Sequence, residues 1–156
     1  MNISISIPLQ EENILLLENP KDAREVVKKL SELLEVKGDV KPSFFEAVWE
    51  RERNMPTGLE LEGDIHAAIP HADIEHVNNP SVALAILGNP VNFKCMVDPE
   101  KELKVRLVFL LAMSEPKKQV EMLQQVATIL QDSQLVKRLS VSSSAKEVME
   151  LIGLMN

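Results

Sequence analysis

Residues 105–111, Val-Arg-Leu-Val-Phe-Leu-Leu, form the most hydrophobic segment of the chain, and an unbroken apolar run continues from Leu107 to Met113. A segment this short and this rich in Val, Leu and Phe reads as a strand covered on both faces. That constrains the fold, because a strand with no solvent face needs apolar helices on each side of its sheet. Seven apolar residues are far too few to cross a bilayer, so the run belongs to a protein core.

The helices are present in the pattern. Ile14-Leu15-Leu16-Leu17 is a short apolar strand, with a weaker alternation at Ile3, Ile5 and Ile7 before it. Asn19 is placed to cap a helix, with Pro20 in its first turn. Ala23, Val26, Val27, Leu30, Leu33 and Leu34 then recur at helical spacing until Gly38. Ser43 with Glu46 is a capping-box pattern opening a second helix through Phe44, Phe45, Val48 and Trp49, and Pro56-Thr57-Gly58 ends it. From Gly58 to Val97 the Gly and Pro residues divide the chain into short extended pieces. Val82–Leu87 and Val91–Met96 read as two strands with Gly88-Asn89-Pro90 as the turn between them. Beyond the central strand, Ser114 and Pro116 introduce a long helix with Val120, Leu123, Val126, Ala127 and Leu130 on one stripe. Asp132 caps a shorter helix through Leu139, and Ser144 with Glu147 opens a final helix carrying Val148, Leu151 and Ile152. No repeat or linker interrupts the pattern, so residues 1–156 are expected to form one α/β domain.

Composition narrows the function. The chain has 17 basic and 24 acidic residues, a net charge of −7, and five aromatic residues, none of them Tyr. It therefore lacks both the basic field and the stacking surfaces that nucleic-acid binding needs. The lone Cys95 cannot form an intrachain disulfide, and Met1 is followed by Asn, Ile and Ser with no basic leader. The expectation is a cytoplasmic protein with no membrane insertion.

Chemistry concentrates in one stretch. His66, His71 and His76 are the chain's three histidines, and they lie within eleven residues. Pro70 lacks an N–H and biases Ile69 toward extended backbone, which places His71 where a strand gives way to a loop. Two readings stay open on the residues alone: surface loop histidines, or a histidine presented in one orientation for transient chemistry near neutral pH. Spacings of five fit neither a helix face nor a strand face, and no cysteine pair supports zinc, which argues against a metal site despite Asp64, Asp73 and Glu75 nearby. No Gly-x-Ser-x-Gly elbow is present, and Cys95 reads as a small buried core residue.

Ala68-Ile69-Pro70-His71-Ala72 resembles the phosphorylation motif of the enzyme IIA components of the bacterial phosphoenolpyruvate-dependent sugar phosphotransferase system, in the fructose/mannitol/galactitol superfamily. Arg51-Glu52, Pro56-Thr57-Gly58, the Val105–Met113 strand and Gln119-Val120-Glu121-Met122-Leu123 follow the same pattern in order. Pro56-Thr57-Gly58-Leu59 and His76, five residues after His71, are most similar to the galactitol-type branch. Mannitol- and fructose-type proteins have a second active-site histidine at the start of the helix after the central strand, whereas this chain has Lys117, Lys118 and Gln119 there.

The resemblance implies a mixed sheet flanked by helices, an α/β/α sandwich of the mannitol-type enzyme IIA kind. It implies a phosphotransferase in which the phosphocarrier HPr donates a phosphoryl group to Nε2 of His71. His71 then passes it to a cysteine of enzyme IIB, for uptake of a polyol or sugar through a separate membrane enzyme IIC. Arg51 would engage the phosphoryl oxygens with its planar fork; a solvated arginine paired with Glu50 or Glu52 is the plainer alternative. Thr57 would donate its hydroxyl, His76 would support the site, and Gln119 would supply a polar group in place of the missing histidine. Thr57 as an ordinary turn residue and His76 as an exposed loop residue remain the alternatives. Glu62, Asp64, Asp73 and Glu75 would steer a basic carrier or simply keep the domain soluble. No metal or organic cofactor is implied, and a regulatory enzyme IIA paralogue is the alternative function.

Overall fold

The computed structural model describes residues 7–153, so Ile3 and Ile5 lie outside the described residues. Its strands are β1 (Leu9–Leu17), β2 (Gly58–Leu59), β3 (His66–Ala68), β4 (Ser81–Lys94) and β5 (Glu102–Ala112). The helices are α1 (Ala23–Val36), α2 (Phe44–Asn54), α3 (Pro116–Leu130), α4 (Ser133–Ser140) and α5 (Ala145–Gly153). Among the described residues the strands make one five-stranded sheet in the order β1-β4-β5-β3-β2. β1 runs parallel to β4 and β3 parallel to β5, while β4–β5 and β2–β3 are antiparallel. The sheet is therefore mixed, flanked by helices, and β5 is its middle strand as its apolar run requires.

The alternation along β5 separates two apolar layers. Val108, Leu110 and Ala112 pack with Val26, Leu30, Leu34, Phe44 and Val48 of α1 and α2. Leu107, Phe109 and Leu111 pack on the other face with Val126, Ile129, Leu139 and Val148 of α3, α4 and α5. Arg106 interrupts this alternation, since Leu103 and Val105 join the first layer rather than the second. Both neighbouring strands shift register at this point, β3 between His66 and Ala67 and β4 between Ile86 and Val91.

That shift overturns one expectation. Gly88-Asn89-Pro90 is not a turn; β4 runs through it as a single strand whose two halves both pair with β5. Residues 87–90 of β4 lie opposite Arg106 alone, so the Gly and Pro mark an expanded bulge. Gly88 is required there for space, because a Cβ would stand 2.5 Å from the carbonyl oxygen of Glu18. The strand also ends at Lys94 rather than Met96, and Cys95 pairs in an isolated bridge with Gly58.

Helix starts differ in detail. Asp22, not Asn19, caps α1, its carboxylate accepting the Glu25 N–H at 2.9 Å, while Asn19 accepts from the Asn89 side chain. Ser43 precedes α2 in a helical backbone conformation that leaves its hydroxyl off the helix N–H groups. Asp132 caps α4 as expected, at 3.1 Å from the Leu135 N–H. Before α5, Ser144 accepts the Glu147 N–H and the Glu147 carboxylate reaches back to Ser143, one residue earlier than a capping box places it. On α3 the buried residues are Met122, Val126, Ile129 and Leu130, and Val120 is exposed. The expected stripe was thus rotated toward the helix start.

Gly88→Ala should force β1 and β4 apart at Glu18 and cost about 1–3 kcal/mol, read as a lower urea midpoint. Native stability in that variant would show that the bulge has more room than the 2.5 Å approach allows.

Candidate functional site

His71 stands at the carboxyl end of β3, two residues beyond Ile69 and directly after Pro70. Pro70 cannot donate to the sheet, but its carbonyl accepts the Leu111 N–H at 3.1 Å, and His71 pairs with Leu111 in an isolated parallel bridge. The backbone is thus pinned to the end of the central strand just where the side chain emerges. Only 6% of His71 is exposed, which removes the surface-loop reading and makes the ring a recessed group.

The ring's tautomer follows from its partner. Nδ1 lies 2.9 Å from the Ile69 carbonyl oxygen, and a carbonyl only accepts, so Nδ1 carries the proton. Nε2 therefore keeps its lone pair, and among the described residues no partner engages it. Burial holds the imidazole below the ordinary histidine value and the charge of Arg51 acts the same way, opposed by the Ile69 hydrogen bond and by Asp73. The outcome is a neutral imidazole at pH 7 with one nucleophilic nitrogen.

Arg51 projects from the last turn of α2. Its Nη1 is 3.6 Å from Asp73, rather than paired with Glu50 or Glu52. Its Nε is buried with no hydrogen-bond partner, so a charged donor there is left uncommitted.

The structure reassigns Thr57. This residue is 3% exposed, and its N–H and O–H donate to the two oxygens of the Glu52 carboxylate, at 2.8 and 2.7 Å. The hydroxyl oxygen in turn accepts the Ile69 N–H at 3.1 Å. A hydroxyl has one proton, so the expected donation to a ligand does not occur in this arrangement. Glu52 was read from sequence as part of the Arg51-Glu52 motif and as a candidate partner of Arg51; here it is buried, and that burial pushes its carboxyl above the ordinary range, against the two Thr57 hydrogen bonds and the Arg51 charge. A Glu four residues before a Pro-Thr-Gly turn was the available signal.

Among the described residues no hydrogen bond joins His76 to the ring of His71. Its Nδ1 is 2.8 Å from Ser43 Oγ, its carbonyl accepts the Lys41 N–H at 2.9 Å, and its Nε2 lies 3.7 Å from Glu75. It fastens the turn carrying Asp73 to the start of α2, which is where the Ser43 hydroxyl goes instead of capping. His66 accepts the Leu61 N–H at 3.0 Å, closing its own loop. Gln119 sits in the first turns of α3 with a buried, unpartnered Oε1. Among the described residues no cluster of three or more His, Cys, Asp or Glu is arranged to hold a metal ion, and no helix is long and apolar enough to cross a membrane.

Residues 7–153 match the family model described as "Phosphoenolpyruvate-dependent sugar phosphotransferase system, EIIA 2". The PTS system galactitol-specific EIIA component of Escherichia coli (strain K12) is 31% identical over 119 residues, 76% of this chain and 77% of that protein. Enzyme IIAMTL, solved in a complex with phosphorylated enzyme IIBMTL from Escherichia coli, superposes with a TM-score of 0.73 at 27% identity, covering 91% of this chain and 94% of that one. The Escherichia coli mannitol-specific cryptic phosphotransferase enzyme IIA CmtB shares the fold, with a TM-score of 0.77 at 20% identity over 94% of this chain and 96% of its own.

The geometry of the ring has a pH consequence of its own. The folded chain disfavours protonated His71, so its contribution to stability is complete above the unfolded value of 6.5 and is lost as pH falls through the lower folded value. An NMR titration should place the His71 midpoint below 6.5, and Arg51→Gln should raise it. A native midpoint at or above 6.5 would contradict the arrangement described.

Proposed function

The chain belongs to the EIIA 2 family of the phosphoenolpyruvate-dependent sugar phosphotransferase system, whose members are phosphotransferases acting through a phosphohistidine, and from that premise we propose that His71 is the residue that carries the phosphoryl group. The observation that carries this reading is the Nδ1 hydrogen bond to Ile69, which leaves a neutral ring with its lone pair on Nε2.

Phospho-HPr brings the phosphoryl group to that lone pair. The Nε2–P bond forms as the bond from phosphorus to the donor histidine breaks, and the proton stays on Nδ1, donated to the Ile69 carbonyl, throughout. Transfer onward reverses the roles: a cysteine thiolate of enzyme IIB attacks phosphorus in line, and the bond to Nε2 breaks. Chemistry of this kind depends on alignment and on stabilising charge at the equatorial oxygens more than on acid–base work. The unpartnered Nε of Arg51 supports a role for its fork in meeting those oxygens, with Asp73 holding the guanidinium until they arrive. Gln119, on α3, would have to use its amide NH₂ toward the phosphoryl group, since its buried, unpartnered oxygen can only accept. His76 acts from a distance, by keeping the Asp73 turn on α2.

A related IIA solved with a phosphorylated IIB supports an enzyme IIB partner for this chain. The galactitol-specific relatives favour uptake of a galactitol-like polyol through a membrane enzyme IIC. The relay would run in the cytoplasm, with no cofactor beyond the phosphate delivered by the donor. Because the ring is recessed, each partner has to insert its phosphoryl-bearing or accepting side chain, and one has to leave before the other docks.

Incubation with phosphoenolpyruvate, enzyme I and HPr should give an acid-labile phosphoryl adduct by intact mass. His71→Ala should abolish the adduct and His76→Ala should keep it; the opposite pattern would move the nucleophile. Arg51→Ala should slow transfer about 100-fold without unfolding the domain, and an unchanged rate would remove Arg51 from the site.

A further inference from the structure

Glu52 is a buried carboxylate beneath the site, and nothing in the transfer step as described uses it. Placing an acid there is costly, as its raised pKa reflects. Its neighbour Arg51 does not neutralise it at close range, being paired with Asp73. What it does hold is Thr57, by both of that residue's donors.

Both carboxylate oxygens of Glu52 accept from Thr57, one from its N–H and one from its hydroxyl, which spends its single proton there. The hydroxyl oxygen then has only lone pairs left, and these face the Ile69 N–H. A second, longer contact joins that N–H to the Thr57 carbonyl at 3.4 Å. Ile69 is thus fixed on its amino side by Thr57 and on its carboxyl side by the Pro70 ring, which restricts it to extended backbone. In that conformation its carbonyl meets Nδ1–H of His71. An amide at position 52 would break the sequence at its first link, because its NH₂ would face one of the two Thr57 donors.

We propose that Glu52 is a positioning residue for phosphoryl transfer: through the Thr57 hydroxyl and the Ile69 backbone it holds His71 in the Nδ1–H tautomer with Nε2 as the nucleophile. The proposal rests on the reading of His71 as the phosphoryl carrier. It differs from a purely structural role in that its loss changes where the imidazole proton resides.

The test uses the whole chain with Glu52→Gln, Thr57→Val and Thr57→Ser. ¹⁵N shifts of His71, recorded with no donor protein present, report the tautomer; phosphorylation by phospho-HPr reports the rate; thermal melting reports the fold. Glu52→Gln and Thr57→Val should each raise the Nε2–H fraction and slow phosphorylation roughly 10- to 100-fold, the scale seen when the outer partner of a metal-ligating histidine is removed. Thr57→Ser should restore most of the rate, and the Glu52→Gln/Thr57→Val double variant should be no slower than the slower single. A folded Glu52→Gln chain with native tautomer and native rate overturns the proposal. Should Glu52→Gln not fold, the Thr57 pair decides, and equal tautomer and rate in Thr57→Val and Thr57→Ser overturns it. A native chain that takes no phosphoryl group at His71 counts against the carrier reading instead, whatever its tautomer.

Discussion

One hydrogen bond, from the imidazole of His71 to the carbonyl of Ile69, is what the site depends on. It settles which nitrogen is protonated, and burial then settles that the ring is uncharged. Neither result needs a bound ligand. Both come from where the backbone places a carbonyl, and that placement comes from Pro70, from the bond between the Pro70 carbonyl and Leu111, and from Thr57 at the other end of Ile69. The carbonyl is a particularly fixed acceptor because the peptide that follows it has no N–H to pull it elsewhere.

The site also explains why polar groups lie within a chain whose remaining interior is almost wholly apolar. Glu52, Thr57 and His71 are buried together, and each is satisfied by the next. Arg51 and Gln119 are different: each keeps one buried polar atom without a partner. The uncommitted Arg51 Nε is a donor left over beside a chain of groups from Glu52 to His71 that are all satisfied.

What could be read in the sequence follows from the range of the interaction involved. The Val105–Leu111 run announced its own position, because hydrophobic burial on two faces is written in consecutive residues, and the Pro70-His71 pair announced a strand end for equally local reasons. The Asp132 cap was legible too. Gly88-Asn89-Pro90 was misread since a turn and a bulge use the same residues, and only the partner strand distinguishes them. Asn19, Ser43 and Thr57 failed in another way. For Asn19 and Ser43 the side chain goes to a partner brought close only by folding, Asn89 and His76, while the Thr57 hydroxyl is taken up by Glu52 five residues before it. For Glu52 the one hint was its place four residues before the Pro-Thr-Gly turn, because a glutamate on a helix is ordinarily solvated.

The parallel pairing of β3 with β5 carries one last implication, about time. His71 is made before the strand that pins it, which ends at Leu111 and Ala112 some forty residues later. A nascent or truncated product ending before residue 102 has only the two-residue β2 to pair with β3. Such fragments would contain His71 without the pairing that orients it, and that orientation arrives late in synthesis, when the middle strand closes the sheet.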